Sequence, residues 1–186
     1  MLAGDAGAAV GQAAAEVSAT SAGEASPQAT AMLAAQDATD LVIIDGGIEN
    51  AEALLASVPA NASLIMLDSS RSGVQQITEA IASHQNLGSV HLMCHATDGA
   101  MAIGNETLSN QNIDTHRDSI AQWGQTMSDG ADLVIYGCDL AGGANGAALL
   151  NQLASIAGVD IAASNDKTGA SDEAAAADWD LSLIHI

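Results

Sequence analysis

The sequence predicts an α/β fold: a three-layer α/β/α sandwich around a mostly parallel six-stranded sheet with an antiparallel edge strand. Five short, mostly apolar runs alternate along the chain with stretches of helical spacing. Apolar runs of this kind are typical of parallel strands buried on both faces, and their alternation with helices favours helical layers on both sides of the sheet. A sixth run, 178–183, alternates apolar and polar residues, which is typical of an antiparallel strand.

Each predicted strand is an apolar run bounded by small or turn-forming residues. The first ends at an aspartate and two glycines, the third begins after a glycine, and the fourth ends in Gly137 and Cys138. Such residues are the usual boundaries of strands. In order along the chain, the predicted strands are 41–45, 63–67, 89–95, 131–138, 159–163 and 178–183.

Four helices are predicted between these strands, because apolar residues recur there every three or four positions. Pro59 ends the first helix, and Asn110 or Asn112 can cap the third. The segment 97–109 alternates weakly around Gly104 and Asn105, which predicts a small hairpin after the third strand. The predicted helices are 49–57, 72–84, a third that runs to about residue 127, and 143–157.

The residues before the first strand differ in composition. Residues 1–40 consist largely of Ala, Gly, Ser, Thr and Gln with scattered acids, and they hold few of the bulky apolar residues that a core needs. This composition is typical of a flexible linker. Since 186 residues supply one core and little more, we predict a linker over 1–40 and one folded domain over 41–186.

The charge excludes several classes of partner. Against 23 acidic residues stand three basic ones, which gives a formal net charge of −20. Because a phosphate backbone would be repelled, we expect no nucleic acid partner. No apolar run approaches the roughly 20 residues of a membrane span, so we expect no membrane insertion.

The same charge bears on where the protein works. A surface this acidic stays soluble in salt and attracts cations, which suits a secreted or marine bacterial protein. The extracellular or cell-surface location that we expect is implied by the family resemblance described below. The N-terminus lacks the basic and apolar regions of a signal peptide. That leaves three alternatives: a cytosolic protein, export by a signal read elsewhere, or a piece of a longer chain.

Two neighbouring strands are predicted to end in a histidine and a cysteine. His95 closes the third strand and Cys138 the fourth, and reactive groups of parallel sheets collect at the carboxyl ends of the strands. His95 and Cys138 are therefore a candidate base and nucleophile. Cys94 should point to the opposite face from His95, as a small core residue. A disulfide between Cys94 and Cys138 stays open.

Strands that end in His and in Gly-Cys, in this order and each followed by a helix, resemble the caspase-like (clan CD) cysteine peptidases. From about residue 41 to residue 183 the chain also resembles domain-of-unknown-function family 4347, which occurs near the N-termini of very large bacterial surface, cadherin-like and RTX-type adhesin proteins. The residues that carry this resemblance are Ile44, Asp45, His91, His95, Tyr136, Gly137, Cys138, Ala141, Gly142, Ala162, Ala163, Ser164, Thr168, Gly169, Asp178 and Trp179.

The wider resemblance implies a peptidase mechanism. His95 would move the proton, Cys138 would attack the scissile carbonyl, and the backbone N–H groups of Ala96 and Cys138 would form the oxyanion hole. The clan has glycine directly after the histidine, where this chain has Ala96; an alanine would be strained if that position needs a positive φ. The dipole of the helix after Cys138 could favour the thiolate.

The resemblance also implies a pocket for the substrate side chain before the scissile bond. Its positions correspond to Asp45, Tyr136, Ser164 and Asp166. Acids at these places would pair with a basic P1 side chain, lysine or arginine. Asp45 can equally cap the turn that follows its strand, and Asp166 can equally be a solvated loop acid.

We expect no cofactor. No spacing of His, Cys and acidic residues matches a zinc site, and no Asp-x-Asp-x-Asp-Gly calcium loop is present. Among the other histidines, we expect His91 in the core and His84, His116 and His185 at the surface. By composition alone, the side chains that could hold calcium are Asp98, Asn105, Glu106 and Asp129.

The sequence therefore predicts a cysteine endopeptidase-like domain that acts on a polypeptide, either its own parent surface protein or a partner. The alternative is a non-catalytic module that anchors or spaces a large bacterial adhesin near its N-terminus and contacts the flanking domains. A third interpretation is a redox-sensitive domain that uses Cys94 and Cys138, which requires the two sulfurs within bonding distance.

Overall fold

The main sheet consists of β1 (Asp40–Asp45), β2 (Ser63–Leu67), β3 (Leu87–Met93), β7 (Met127–Tyr136), β8 (Asp160–Ser164) and β9 (Leu181–Ile184). Its strand order is β2-β1-β3-β7-β8-β9. All neighbouring strands pair in parallel except β8 and β9, which are antiparallel. The predicted mostly parallel sheet with an antiparallel edge strand is confirmed.

In this computed structural model we describe residues 38–49, 51, 58–165 and 181–184, the last four by their backbone. Most of the predicted linker, residues 52–57 of the first predicted helix, Asp166, His185, and the start of the last predicted strand lie outside the described residues.

Three helices pack on one face of the sheet: α1 (Gly73–Ala82), α2 (Arg117–Thr126) and α3 (Ala144–Ala157). A short 3₁₀-helix (Ile113–His116) precedes α2. Alternate residues of the strands point into this core, so Leu41 and Ile43 pack against the helices while Val42 and Ile44 pack against Ala51 on the opposite face. The predicted α/β architecture is confirmed. In the described part of the chain, no helix is long and apolar enough to cross a membrane.

The helical layer is held together by close contacts that involve small residues. The indole Nε1 of Trp123 donates to Thr78 Oγ1 at 2.8 Å and joins α2 to α1. A Cβ at Gly124 would overlap the carbonyl oxygen of Ala157, so α2 approaches α3 at a position where only glycine fits. With no Phe in the chain, backbone proximity replaces much of the packing that large aromatic side chains provide elsewhere.

A second sheet lies beside the main one. It has three antiparallel strands, β4 (His95–Thr97), β5 (Ala100–Ile103) and β6 (Glu106–Ser109). The predicted hairpin is confirmed as β5 and β6, with Gly104 at φ 58° in the turn. His95, however, is not the end of β3 as predicted; it opens β4, because pairing between β3 and β7 stops at Met93 and the chain turns out of the main sheet after Cys94.

Carboxylates join the small sheet to the rest of the domain. Each of them accepts a hydrogen bond from a backbone N–H group far away in sequence, and such bonds to a charged acceptor are stronger than neutral ones. The Gly104 N–H donates to Asp45 Oδ2 at 2.6 Å, and the Val74 N–H donates to Glu106 Oε1 at 3.0 Å. The Gly146 N–H donates to Asp98 Oδ1 at 2.7 Å. We call these the three carboxylate anchors.

Two predictions about helix ends are wrong. Asn112 does not cap a helix with its side chain, because its Oδ1 accepts from the Ser109 N–H at 2.8 Å. His84 is not a surface residue: only 5% of it is exposed, and its Nδ1 lies 2.8 Å from the Ala80 carbonyl oxygen at the end of α1. An imidazole at a helix C-terminus can satisfy such a carbonyl, which favours burial there.

Candidate functional site

The junctions that carry His95 and Cys138 lie side by side. Met93 pairs with Tyr136 at the last rung between β3 and β7, and the Cys94 N–H donates to the Tyr136 carbonyl at 3.1 Å. His95 and Cys138 each follow this rung by two residues. The structure therefore brings the predicted base and nucleophile to the carboxyl ends of neighbouring parallel strands.

The residues next to the pair are in direct contact. A Cβ at Gly137 would lie 2.6 Å from the Cβ of Ala96 and 3.6 Å from the sulfur of Cys94. No side chain fits at Gly137 while Ala96 keeps its position. The glycine of the Tyr-Gly-Cys run thus permits the strand before Cys138 to approach the strand that begins with His95.

The two cysteines differ in exposure. Cys138 is half-buried, whereas Cys94 is only 4% exposed and belongs to the main core. Neither cysteine forms a disulfide. The prediction that Cys94 is a small core residue is confirmed, and the disulfide left open by the sequence is not formed.

Burial raises the pKa of the Cys94 thiol to about 12, and the nearby Asp45 and Cys138 add to this effect. We expect the native protein to incorporate one carbamidomethyl group per chain up to pH 9, at Cys138, and a second at Cys94 only after unfolding in urea. Intact mass and peptide mapping measure this. Labelling of both thiols at similar rates in the native protein would contradict the burial of Cys94.

The raised pKa of Cys94 also makes the free energy of unfolding depend on pH. Unfolded Cys94 ionises near its ordinary value, about 8.5, while native Cys94 keeps its proton up to about pH 12. Between these two values the native state binds more protons than the unfolded state, so the free energy of unfolding falls as the pH rises. Cys94→Ala should remove this part of the pH dependence.

The loop after Cys138 is held on several sides. Leu140 is fully buried, and its carbonyl accepts from the Gly99 N–H at 3.4 Å. The Ala141 N–H donates to the Ser164 carbonyl at 2.9 Å. Asp139 adopts a left-handed conformation, with φ 53°, which is uncommon for a residue with a side chain and is often found near functional sites.

The N-terminus of α3 binds a carboxylate. Its Gly146 N–H donates to Asp98 Oδ1 at 2.7 Å, and the Asn145 side chain donates to Asp98 Oδ2 at 3.1 Å. The positive end of the helix dipole therefore meets the Asp98 carboxylate, which holds the helix to the β4–β5 turn. The effect of this dipole on a Cys138 thiolate stays a prediction.

A cleft of about 280 Å³ opens next to the pair. The His95 side contributes Ala96, Thr97 and Asp98, and the Cys138 side contributes Asp139, Gly142 and Gly143. His95 itself is exposed. The described lining contains two exposed acids and no basic residue, so the cleft favours a neutral or cationic group.

Ala96 is not strained. Among the described residues, the non-glycine positions with positive φ are Asn86 and Asp139. Ala96 lies in β4, where it pairs with Met101. The strain expected from an alanine in place of the usual glycine is therefore absent from this backbone.

The residues predicted to form one substrate pocket have separate structural roles. Asp45 is 4% exposed, and its Oδ1 accepts from the Gly47 N–H at 2.8 Å, which confirms the alternative that it caps the turn after its strand. Ser164 is fully buried. Tyr136 is half-buried against His91, and Asp166 lies outside the described residues. A substrate would reach Asp45 or Ser164 only after a local rearrangement.

His91 is half-buried and not a fully enclosed core residue as predicted. Its Nδ1 lies 3.1 Å from the Tyr136 hydroxyl and its Nε2 lies 3.0 Å from Ser89 Oγ, which donates to Asp40 Oδ1 at 2.6 Å. The strand period of two places Ser89 and His91 on one side of β3, which is the sequence signal for part of this arrangement, but nothing near His91 in the sequence pointed to Tyr136.

The calcium candidates do not converge. Asp98 binds the start of α3, Glu106 binds the start of α1, and the Asn105 side chain donates to the Ser70 carbonyl. No group of three or more His, Cys, Asp or Glu that could hold a metal occurs among the residues that we describe.

Comparisons with solved structures give distant similarities. BdcA (YjgI) from E. coli is 14% identical, with 68% of this chain and 83% of that chain covered and a TM-score of 0.36. A double mutant of a short-chain dehydrogenase/reductase from Serratia marcescens is 18% identical, with 64% of this chain and 67% of that chain covered and a TM-score of 0.29. Similarity at this level assigns no activity or cofactor. No curated protein matches the chain.

The family comparison covers most of the chain. The model of the family described as "Domain of unknown function (DUF4347)" matches residues 41–185. The match begins in β1 and extends past the last strand, so it includes both sheets and the junctions at His95 and Cys138. The chain belongs to the DUF4347 family.

Proposed function

We propose that this domain is a cysteine endopeptidase of the caspase-like type, with Cys138 as nucleophile and His95 as base. The observation that carries the proposal is the contact between the two junctions. Met93 pairs with Tyr136, His95 and Cys138 each follow this rung by two residues, and a Cβ at Gly137 would lie against Ala96. An exposed histidine, a half-buried cysteine that forms no disulfide and an open cleft beside them support the same function.

The proposed steps follow from these positions. His95 takes the proton of the Cys138 thiol, and the sulfur attacks the scissile carbonyl carbon. The backbone N–H groups of Ala96 and Cys138 stabilise the negative oxygen that forms. The carbon–nitrogen bond then breaks as His95 returns its proton to the leaving amine, and water hydrolyses the thioester.

The substrate in this proposal is a polypeptide with a lysine or arginine near the scissile bond. Because Asp45 and Ser164 are buried, we assign the preference for a basic residue to Asp98 and Asp139, the exposed acids of the cleft. The peptide belongs to the parent protein, to its flanking domains or to a partner. The proposed setting is a larger secreted bacterial protein of the adhesin type, outside the cell or at its surface.

The test measures alkylation of Cys138 by iodoacetamide from pH 5 to 9 in a Cys94→Ser background. A free thiol is only a few per cent thiolate at pH 7, so a thiol activated by His95 should react about tenfold faster than an ordinary one. His95→Ala should lower the rate at pH 7 by about that factor and restore an ordinary thiol titration.

The matched control is His116→Ala, because His116 is a partly exposed histidine on the 3₁₀-helix that the mechanism does not use. It should leave the rate unchanged. Slow labelling of the parent, with an ordinary titration that His95→Ala does not alter, would overturn the proposal and favour a non-catalytic module.

A further inference from the structure

A second cavity, of about 390 Å³, lies on the face of the sheet that carries Val42. Its walls are largely apolar, and Val42, Val58, Ala62 and Met93 contribute to them. A volume of this size is within the range of small-molecule sites. Among the described residues, none lines both this cavity and the cleft beside Cys138.

A hydrogen-bonded chain of four side chains runs along this cavity, and its proton directions can be assigned. The Ser89 hydroxyl donates its one hydrogen to Asp40 Oδ1 at 2.6 Å, so the 3.0 Å contact with His91 Nε2 has the imidazole as donor. A neutral His91 then accepts at Nδ1 from the Tyr136 hydroxyl, 3.1 Å away. Each hydrogen bond in this series is therefore donated in the direction of Asp40, and the series ends at the Asp40 carboxylate.

The cavity therefore has a neutral imidazole along its wall and a negative charge at one end. Burial lowers the pKa of His91, against the opposing effect of Asp40 and Asp132, which keeps the ring uncharged at neutral pH. The described lining has no lysine or arginine to balance Asp40. Asp40 accepts one hydrogen bond on Oδ1 and one from Thr39 on Oδ2, and a carboxylate has room for more.

We propose that this cavity binds a primary alkylammonium ion, with the ammonium group at Asp40 and the alkyl stem against Val42, Val58, Ala62 and Met93. An ammonium supplies the donors that a carboxylate requires, and the stem supplies the apolar surface that the walls can bury. The ligand is a free alkylamine or the side chain of a lysine. This site is independent of the proposed peptidase function.

Tyr136 makes the test direct, because it is the one tyrosine in the sequence and the chain has no phenylalanine. Protein labelled with ¹³C in the tyrosine ring gives a single set of ring signals from the cavity wall. Titration with n-hexylammonium should shift these signals saturably, with a dissociation constant on the order of millimolar. Hexanol, which has the same stem without the charge, should bind about tenfold more weakly.

Two aspartates give a matched pair of variants. Asp40→Asn should weaken hexylammonium about tenfold, whereas Asp118→Asn, on the exposed surface of α2, changes the net charge equally and should have no effect. If Asp40→Asn does not fold, Ala62→Met fills the cavity from an apolar wall and should abolish the shift.

Three results would overturn the proposal. They are the absence of a saturable shift, equal binding of hexanol and hexylammonium, and equal weakening by the two aspartate variants, which would indicate attraction by the overall charge alone. A blocked lysine, Nα-acetyl-lysine methylamide, distinguishes the sources: tighter binding than hexylammonium assigns the site to a polypeptide, and weaker binding assigns it to a free amine.

Discussion

Replacing Cys138 with serine, or His95 with alanine, is expected to lower kcat/KM for a lysine- or arginine-containing peptide by about 100- to 10,000-fold. General acid–base catalysis by a positioned side chain contributes effects of this size. The loss in the double variant should equal that in either single variant, because a nucleophile and its base act as a unit.

The measurement uses fluorogenic peptides that differ only at one residue before the scissile bond: lysine, arginine, glutamine or glutamate. The acids of the cleft, Asp98 and Asp139, should make the glutamate peptide the poorest substrate. Cys94→Ser is the control and should retain the parent rate, since Cys94 is a buried core thiol. Equal turnover by the parent and the two site variants would show that the activity arises elsewhere.

Gly146→Ala is expected to destabilise the domain by about 2–4 kcal/mol, the range of substitutions that overpack a closely fitted site. In an ordinary helix the same change stabilises by roughly 0.5–1 kcal/mol, because glycine loses more backbone entropy on folding. The sign reverses here because an alanine Cβ would overlap the carbonyl oxygen of Leu140, which belongs to the loop after Cys138.

Urea unfolding monitored by circular dichroism measures this change. Gly88→Ala is the matched control. The atom nearest to its new Cβ is the Thr39 carbonyl oxygen, 3.7 Å away, so the free energy of unfolding should change by no more than about 0.5 kcal/mol. A Gly146→Ala variant as stable as the parent would mean that α3 does not press against the Cys138 loop. Cys138 labelling in the folded variant would show whether the loop has moved.

The main sheet could be predicted from the sequence because its signal is local. β1, β3 and β7 are apolar runs of sufficient length, and helices of regular spacing separate them. The small sheet was predicted only in part. β4 has three residues and no apolar period, and pairing with β5 defines it. The sequence pattern alone therefore could not predict that His95 lies on the small sheet.

The partners of the polar residues could not be predicted, because they are distant in sequence. Asp45 meets the N–H of a residue 59 positions later, and Asp98 meets one 48 positions later. The Asn112 cap failed for the opposite reason: its side chain bonds locally to the Ser109 N–H, and such local bonds compete with helix capping. That His95 and Cys138 lie near each other was predictable, because both follow shortly after neighbouring parallel strands whose carboxyl ends meet at one edge of the sheet.

The base of the proposed site opens the small sheet, the nucleophile follows a strand of the main sheet, and the three carboxylate anchors hold the small sheet to the rest of the domain. Ancestral sequences could therefore have gained or lost activity by altering acids and glycines far from either reactive atom, with the main core intact. We expect family members that keep both the histidine and the cysteine but lack the anchors to retain the fold without the proposed activity. Under the proposed function, the acids of the anchors together with the histidine and cysteine would distinguish active members of the family from inactive ones.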